Sequence, residues 1–327
     1  MRRTSFASSP SRRPRGRALV VGLSIVTVLC WWLWPEEDPV TPELSARTPP
    51  STQEKPRGES KPQSLKRSPE PEIAKVMPAP DDPLAPDRRK LGALRKGGDA
   101  DALRRQLSSL ALHPRAMLKD REAWLKEADK LNARLVWSAT PGPGFTTVKV
   151  EPSDSYWEIA RRMNAERGTH VTAGMLEAIN KVRPNKLRLD QFLKVPTEKV
   201  SLLVDKSSCE IYVLLGGVYV KRFPVGIGKD SSTPEGTFTV QGKTAKPVWT
   251  DPKTGRRYAY GEKGHLIGSR WLGFYKDGGP TGYGTHGTID PETIGQAVSE
   301  GCIRLVNSDV EELYELVLEG ASVRVRR

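Results

Sequence analysis

Hydrophobic and polar positions divide the chain into stretches of different character. Residues 18–34, ALVVGLSIVTVLCWWLW, are an unbroken apolar run. As a helix this run is about 26 Å long, near the lower limit for crossing a bilayer. Residues 35–87 have no periodicity and hold 13 prolines among Glu, Ser, Lys and Arg. They bury too little apolar surface to offset chain entropy and predict a disordered, extended tether. Over residues 88–140 apolar side chains return at three- and four-residue steps, among them Leu91, Leu94, Leu103, Leu107, Leu110, Leu118, Trp124, Leu125 and Ala128. That period predicts two or three short helices. Gly97-Gly98 breaks the first, Asp99 or Asp101 caps the second and Pro114 starts the third. His113 reads as a turn residue, and Pro141–Gly144 as a hinge.

Residues 146–196 predict strand, helix, helix, strand: TTVKV, YWEIARRM, a helix near Ala173–Asn180, and DQFLKVP. From Val200 the pattern becomes β. VSLLVD, CEIYVLL, VYVKRFPVG and EGTFTVQG alternate as strands do, with Gly216-Gly217 turning one hairpin. Cys209 reads as a small buried side chain within a strand. Ser308 and Glu311 suggest a capping box for a late helix ended by Gly320, and ASVRVR closes the pattern as a strand. Residues 200–327 are therefore expected to form a mainly β domain, a sandwich or barrel.

Charge refines this division. The net charge is +13, spread as +6 over residues 1–34, −4 over 35–87 and +11 over the remainder. Six Arg precede the apolar run, and Glu36, Glu37 and Asp38 follow it. Basic flanks stay inside, so residues 1–17 read as a cytoplasmic tail and 18–34 as a single-pass anchor in the cytoplasmic membrane. No small-x-small site follows the run, which favours an uncleaved anchor over a signal peptide. The body is then expected in the periplasm or cell-wall space. Its basic balance suits an anionic partner, but no nucleic-acid-binding signature is present. Three cysteines exclude a disulfide scaffold, and four histidines argue against a polyhistidine metal site.

The chemistry concentrates in GTHGTIDPETIGQAVSEGCIRLVN, residues 284–307. A nucleophilic Cys302 needs a nearby base or cation, and His286 is the near candidate by sequence. Gly284, Gly287 and Gly301 allow the backbone to approach a substrate or aim N–H groups at an oxyanion. Arg304 offers a planar fork for a carboxylate. Ser299 reads as fixing the loop. His265 reads as lining the cleft or capping a strand. Tyr283 and its aromatic neighbours Tyr258, Tyr260, Trp271 and Phe274 either flank a ligand or fill the core. No paired spacing suggests a metal. These residues by themselves indicate thiol-based acyl transfer.

The string resembles the active-site motif of the YkuD-type L,D-transpeptidases, H-G-T-x-x-P-x-x-I-G-x-x-x-S-x-G-C-I-R. The phrase TPEGTF at residues 233–238 resembles the family's T-P-x-G-x-F. The resemblance covers residues 200–327 and implies a β sandwich-like catalytic domain acting on peptidoglycan stem peptides without a cofactor. It implies that His286 takes the Cys302 proton, that the thiolate expels terminal D-Ala, and that another stem's amine resolves the thioester into a 3→3 cross-link. It assigns Arg304, His265 and Tyr283 to the substrate side. Many members have His before the Gly-Cys pair, where this chain has Glu300. Pointing inward, that carboxylate would raise the thiol pKa. Water as acceptor, making an L,D-carboxypeptidase, and a non-catalytic wall tether are the alternative functions.

VKVEPSDSYWEIARRM, LEAINKV and LRLDQFLKVP resemble a LysM module, with the βααβ order of that fold. That resemblance implies binding of glycan strands between a loop holding Ser153, Asp154 and Ser155 and another holding Asn185. Ser153 stands where the family usually has Gly.

Overall fold

The computed structural model describes residues 82–327. The basic tail, the apolar run 18–34 and the Pro-rich stretch to residue 81 lie outside the described residues. Among the described residues no helix is long and apolar enough to cross a membrane.

Three helices open the described chain: α1 (Ala85–Gly97), α2 (Ala100–Ala111) and α3 (Leu118–Leu135). Helix α1 starts inside the stretch read as tether. Pro86 suits its first turn, where a missing N–H costs nothing, and Leu84 is buried. Asp99 caps α2, accepting from the N–H groups of Asp101 and Ala102. Pro114 does not start α3. It lies in a turn in which the His113 ring accepts from the Arg115 N–H and the His113 carbonyl from the Ala116 N–H.

Next come β1 (Phe145–Lys149), α4 (Tyr156–Arg167), α5 (Ala173–Asn180) and β2 (Phe192–Pro196). β1 and β2 pair antiparallel, giving the expected βααβ order. This unit has a core of its own, including Ile159, Met163, Leu176, Leu193 and Val195. The opposite face of α5 lends Met175 and Ile179 to the main core. Ser153 has φ 68°, the left-handed backbone that Gly adopts without strain. The Gly-to-Ser departure therefore falls where it costs most.

The remaining elements are β3 (Val200–Asp205), β4 (Glu210–Leu215), β5 (Val218–Pro224), β6 (Ile227–Gly228), β7 (Gly236–Ala245), β8 (Trp249–Thr250), β9 (Arg257–Tyr258), β10 (Arg270–Lys276), β11 (Gly279–Gly287), β12 (Ala297–Ser299), β13 (Ile303–Leu305), α6 (Asn307–Leu316) and β14 (Ser322–Arg326). Eight strands form one mixed sheet in the order β13-β11-β10-β7-β14-β3-β4-β5, and three two-stranded pairs complete the β structure. In the large sheet the β14–β3 and β11–β13 pairs are parallel and the other neighbours antiparallel, and the separate β6–β12 pair is parallel.

Period-2 alternation sends Leu202, Val204, Ile211 and Val213 into the main core beneath α6. Their neighbours Leu203 and Tyr212, with Tyr219, point to the opposite face. There the three helices cover them with Leu107, Leu110, Trp124 and Leu125. The helical unit is thus the second wall of the sheet.

Two local expectations fail. Cys209 is half-buried in the β3–β4 turn at φ 52°. The apparent alternation through CEIYVLL begins one residue later than it reads. Helix α6 starts at Asn307 without a side-chain cap and ends at Leu316, so neither the Ser308–Glu311 box nor Gly320 bounds it.

Candidate active site

Parallel pairing of β11 with β13 sets the site. His286 lies opposite Arg304, and Thr285 opposite Ile303. Cys302 directly precedes β13, so by period 2 Cys302, Arg304 and His286 share one face of the sheet end. All three line a cleft of about 850 Å³ with Trp271, Tyr283 and Ser299. The far wall is the β8–β9 hairpin region, Pro247–Lys253 with Leu266 and Ile267.

His286 is buried, and its ring stacks on Trp271 at 5.9 Å between centroids and 21° between planes. Its Nδ1 lies 2.6 Å from the Gly287 carbonyl oxygen. A carbonyl only accepts, so Nδ1 carries the proton and Nε2 keeps its lone pair. Burial pushes the imidazole pKa down to about 4, and the Arg304 charge adds to the shift. Burial also raises the Cys302 thiol pKa, partly offset by the Gly284 backbone and by Arg304. The resting pair is therefore a neutral thiol and a neutral imidazole, whereas the sequence suggested a thiolate held by a neighbouring base or cation. The proton moves only as the nucleophile attacks.

The turn before Cys302 is built by side chains. Ser299 Oγ accepts from the Gly301 N–H at 3.1 Å and donates to the Cys302 carbonyl at 2.6 Å. Ser299 thus fixes the loop as expected. The Gly301 N–H is consumed in doing so and is withdrawn from the predicted oxyanion donors. Gly301 has φ 133°, and a Cβ there would strike the Tyr283 ring. The Gly301 carbonyl accepts from Thr233 Oγ1 at 2.9 Å, and that hydroxyl accepts from the Gly228 N–H at 2.8 Å. This is the physical role of the Thr in TPEGTF: it ties β6 to the nucleophile loop.

Asn307 was missed by sequence reasoning. Its Oδ1 accepts from the Ser269 N–H at 3.0 Å, and its Nδ2 donates to the Thr288 carbonyl at 3.1 Å. A Cβ on Gly287 would collide with it, so the Gly after His286 serves this bridge. Asn307 closes the motif string, but nothing in its spacing shows that its amide reaches back to flank His286.

A family model for the L,D-transpeptidase catalytic domain matches residues 199–325. YqjB of Bacillus subtilis, which carries the family's name, is 33% identical over 126 residues, covering 38% of this chain and 69% of YqjB. The chain belongs to the L,D-transpeptidase family. YkuD of B. subtilis is 35% identical over 109 residues, and there the chain spans about half of the relative, 54% against 33% of its own length. Among solved structures, an L,D-transpeptidase from Mycobacterium smegmatis shares 21% identity over 42% of this chain and 64% of that one, with a TM-score of 0.32.

In this transpeptidase domain Arg304 lines the cleft and makes no ion pair among the described residues. Tyr283 lines the cleft. His265 does not. It is buried with Nε2 2.8 Å from the Pro247 carbonyl, and so supports the wall that Pro247 contributes. Glu300 lines the cleft and pairs with Lys253 Nζ at 2.8 Å. It is not among the groups that raise the thiol pKa. Among the described residues no cluster of metal-ligating side chains occurs.

The predicted glycan residues prove structural in part. Ser155 caps α4 by accepting from the Glu158 N–H, and both Asp154 carboxylate oxygens accept from Arg162. Ser153 and Asn185 are exposed. Trp157 in the first turn of α4, Leu189 in the turn before β2 and Phe192 at the start of β2 are also exposed.

Proposed function

We propose that the chain cross-links peptidoglycan through a Cys302 thioester. The observation that carries this reading is the placement of Cys302 and His286 on adjacent strand ends, both lining one substrate-sized cleft. Nε2 of His286 takes the thiol proton as Sγ attacks the carbonyl of the third stem residue. The tetrahedral intermediate expels D-Ala, whose amine takes that proton back from the imidazole. Arg304 offers its guanidinium to the carboxylate of the departing D-Ala. The ring stack on Trp271 and the Nδ1 bond hold the imidazole in one tautomer and plane, so no reorganisation precedes proton transfer. An amine from a second stem then attacks the thioester and gives a 3→3 link.

The surrounding parts fit a wall enzyme. The 146–196 unit has the LysM strand and helix order, and its two loops meet where Val150 and Gln191 are bonded. The exposed Trp157, Leu189 and Phe192 offer apolar faces to sugar rings. Residues 18–34, with their Arg-rich flank, support a membrane anchor that leaves the catalytic part in the periplasm or cell-wall space. Incubating the full chain with purified muropeptides tests the reading. Mass spectrometry should find 3→3 dimers and free D-Ala. Tripeptides alone would make it a carboxypeptidase, and unchanged stems a tether.

A further inference from the structure

Glu300 occupies a singular place. It lies two residues before the nucleophile, on the cleft wall, with its side chain in solvent. Its partner is the Lys253 ammonium at 2.8 Å, on the turn of the β8–β9 hairpin. Both side chains are largely exposed, at 59% and 74%. The other acidic group of the cleft, Asp251, is already engaged by the Lys253 N–H and the Thr254 hydroxyl. Lys229 also lies near enough to favour the Glu300 charge. The rim beside Cys302 therefore presents one carboxylate bound to a primary ammonium on a flexible four-carbon stem.

A diamino-acid side chain of an incoming stem is the same chemical object, a primary ammonium on an alkyl stem. We propose that Glu300 is the acceptor-recognition residue, and that Lys253 occupies in the free enzyme the position taken by the acceptor's ammonium. This rests on the transpeptidase reading above. Exchange is cheap because an exposed ion pair contributes little, so an ammonium of matching geometry replaces Lys253 at little cost. Once beside the thioester, the ammonium gives one proton to water. Its lone pair attacks the carbonyl carbon and the C–S bond breaks. The second amine proton passes through His286 to the Cys302 sulfur, restoring the thiol. Glu300 holds the acceptor and takes no part in bond making.

The competing account, a strap that merely pins the hairpin to the nucleophile loop, breaks equally from either side. The two accounts therefore separate by sign. The full chain is given a tetrapeptide stem as donor and a tripeptide stem carrying a free diamino-acid amine as acceptor. Glu300→Gln should raise the acceptor KM about threefold to fivefold and increase the share of water-captured product. Lys253→Met, which removes the competitor, should lower that KM by a similar factor. Both variants should release D-Ala from donor alone within twofold of the parent. Capture by hydroxylamine, which is uncharged at neutral pH, should also be unchanged in both. KM shifts of the same sign, or no shift in either, would overturn the assignment and leave the transpeptidase reading intact. A parent chain that releases no D-Ala would overturn that reading and this proposal with it.

Discussion

The two ends of the large sheet bury polar groups in opposite ways. Under the helical unit several buried polar groups pair across the interface, although Arg121 Nε and Asn132 Oδ1 have no hydrogen-bond partner among the described residues. Asp205 meets Arg326 at 2.8 Å and Arg121 at 3.3 Å. Tyr219 donates its hydroxyl to Asp129, its N–H is held by Ser108, and its carbonyl by Asn132. At the cleft, His286 spends one ring nitrogen and keeps the other, and Arg304 forms no ion pair among the described residues. The first arrangement converts burial into cohesion, because paired groups lose little on leaving water. The second leaves burial uncompensated and so displaces the pKa values of His286 and Cys302. Stability and reactivity should respond to different substitutions.

The sharpest division is expected at Cys302. Cys302→Ala should abolish acylation by donor stems while leaving the melting temperature within about a degree or two. Intact-mass spectra with peptide mapping check this, and an adduct on Cys209 would undo the site assignment. His286→Ala should slow acylation by about 10²–10⁴ in single-turnover assays, the usual loss for a general base.

The helical interface should show the reverse. A chain beginning at residue 138 exposes Leu203, Tyr212 and Tyr219, and is expected to aggregate where one beginning at residue 82 melts cooperatively. Within the intact chain, Leu107→Ala should cost about 2–5 kcal/mol in urea unfolding, and Asp205→Ala about 3–5 kcal/mol by stranding its arginines. Acylation per folded molecule should not change in either. A loss of rate at full folding would show that the two ends are coupled.

The smallest effect is in pH. A histidine buried neutral, with its pKa near 4 against about 6.5 unfolded, binds its proton later than the unfolded chain does. Its contribution to stability is whole above pH 6.5 and is lost as pH falls toward 4. The acid limb of acylation should likewise fall near pH 4. A limb near 6.5 would mean that the imidazole is not desolvated as described.

What could be read from the sequence depended on range. Strands β3 to β5 and helices α2, α4 and α5 were legible because alternation, apolar periodicity and caps such as Asp99 act within four residues. Cys302 and His286 were legible because reactive side chains need particular neighbours. Asn307, Thr233 and the stack of Trp271 on His286 act between segments far apart in sequence, where local spacing carries no signal. The β8–β9 hairpin has two-residue strands, too short to show a period. The amphipathic pattern of residues 88–140 revealed an apolar stripe but not the sheet it covers, so the unit read as separate. Helix α6 was bounded wrongly because Asn307, at its first turn, spends its side chain on neighbouring loops.

Strand β14 is the last sheet strand in chain order, yet it lies between β3 and β7 in the middle of the sheet. Its Arg326 bonds Asp205 across 121 residues of sequence. Within the large sheet, the half covered by the helical unit and the half holding the nucleophile are joined strand to strand through β14. As the chain emerges during synthesis, each half can assemble its hairpins, but the large sheet is not continuous until β14 inserts. Closure over so long a loop is slow, and both flanking strands offer open edges meanwhile. The molecule should therefore spend an interval with its nucleophile made but its cleft unbuilt, and be most in need of a holding chaperone then.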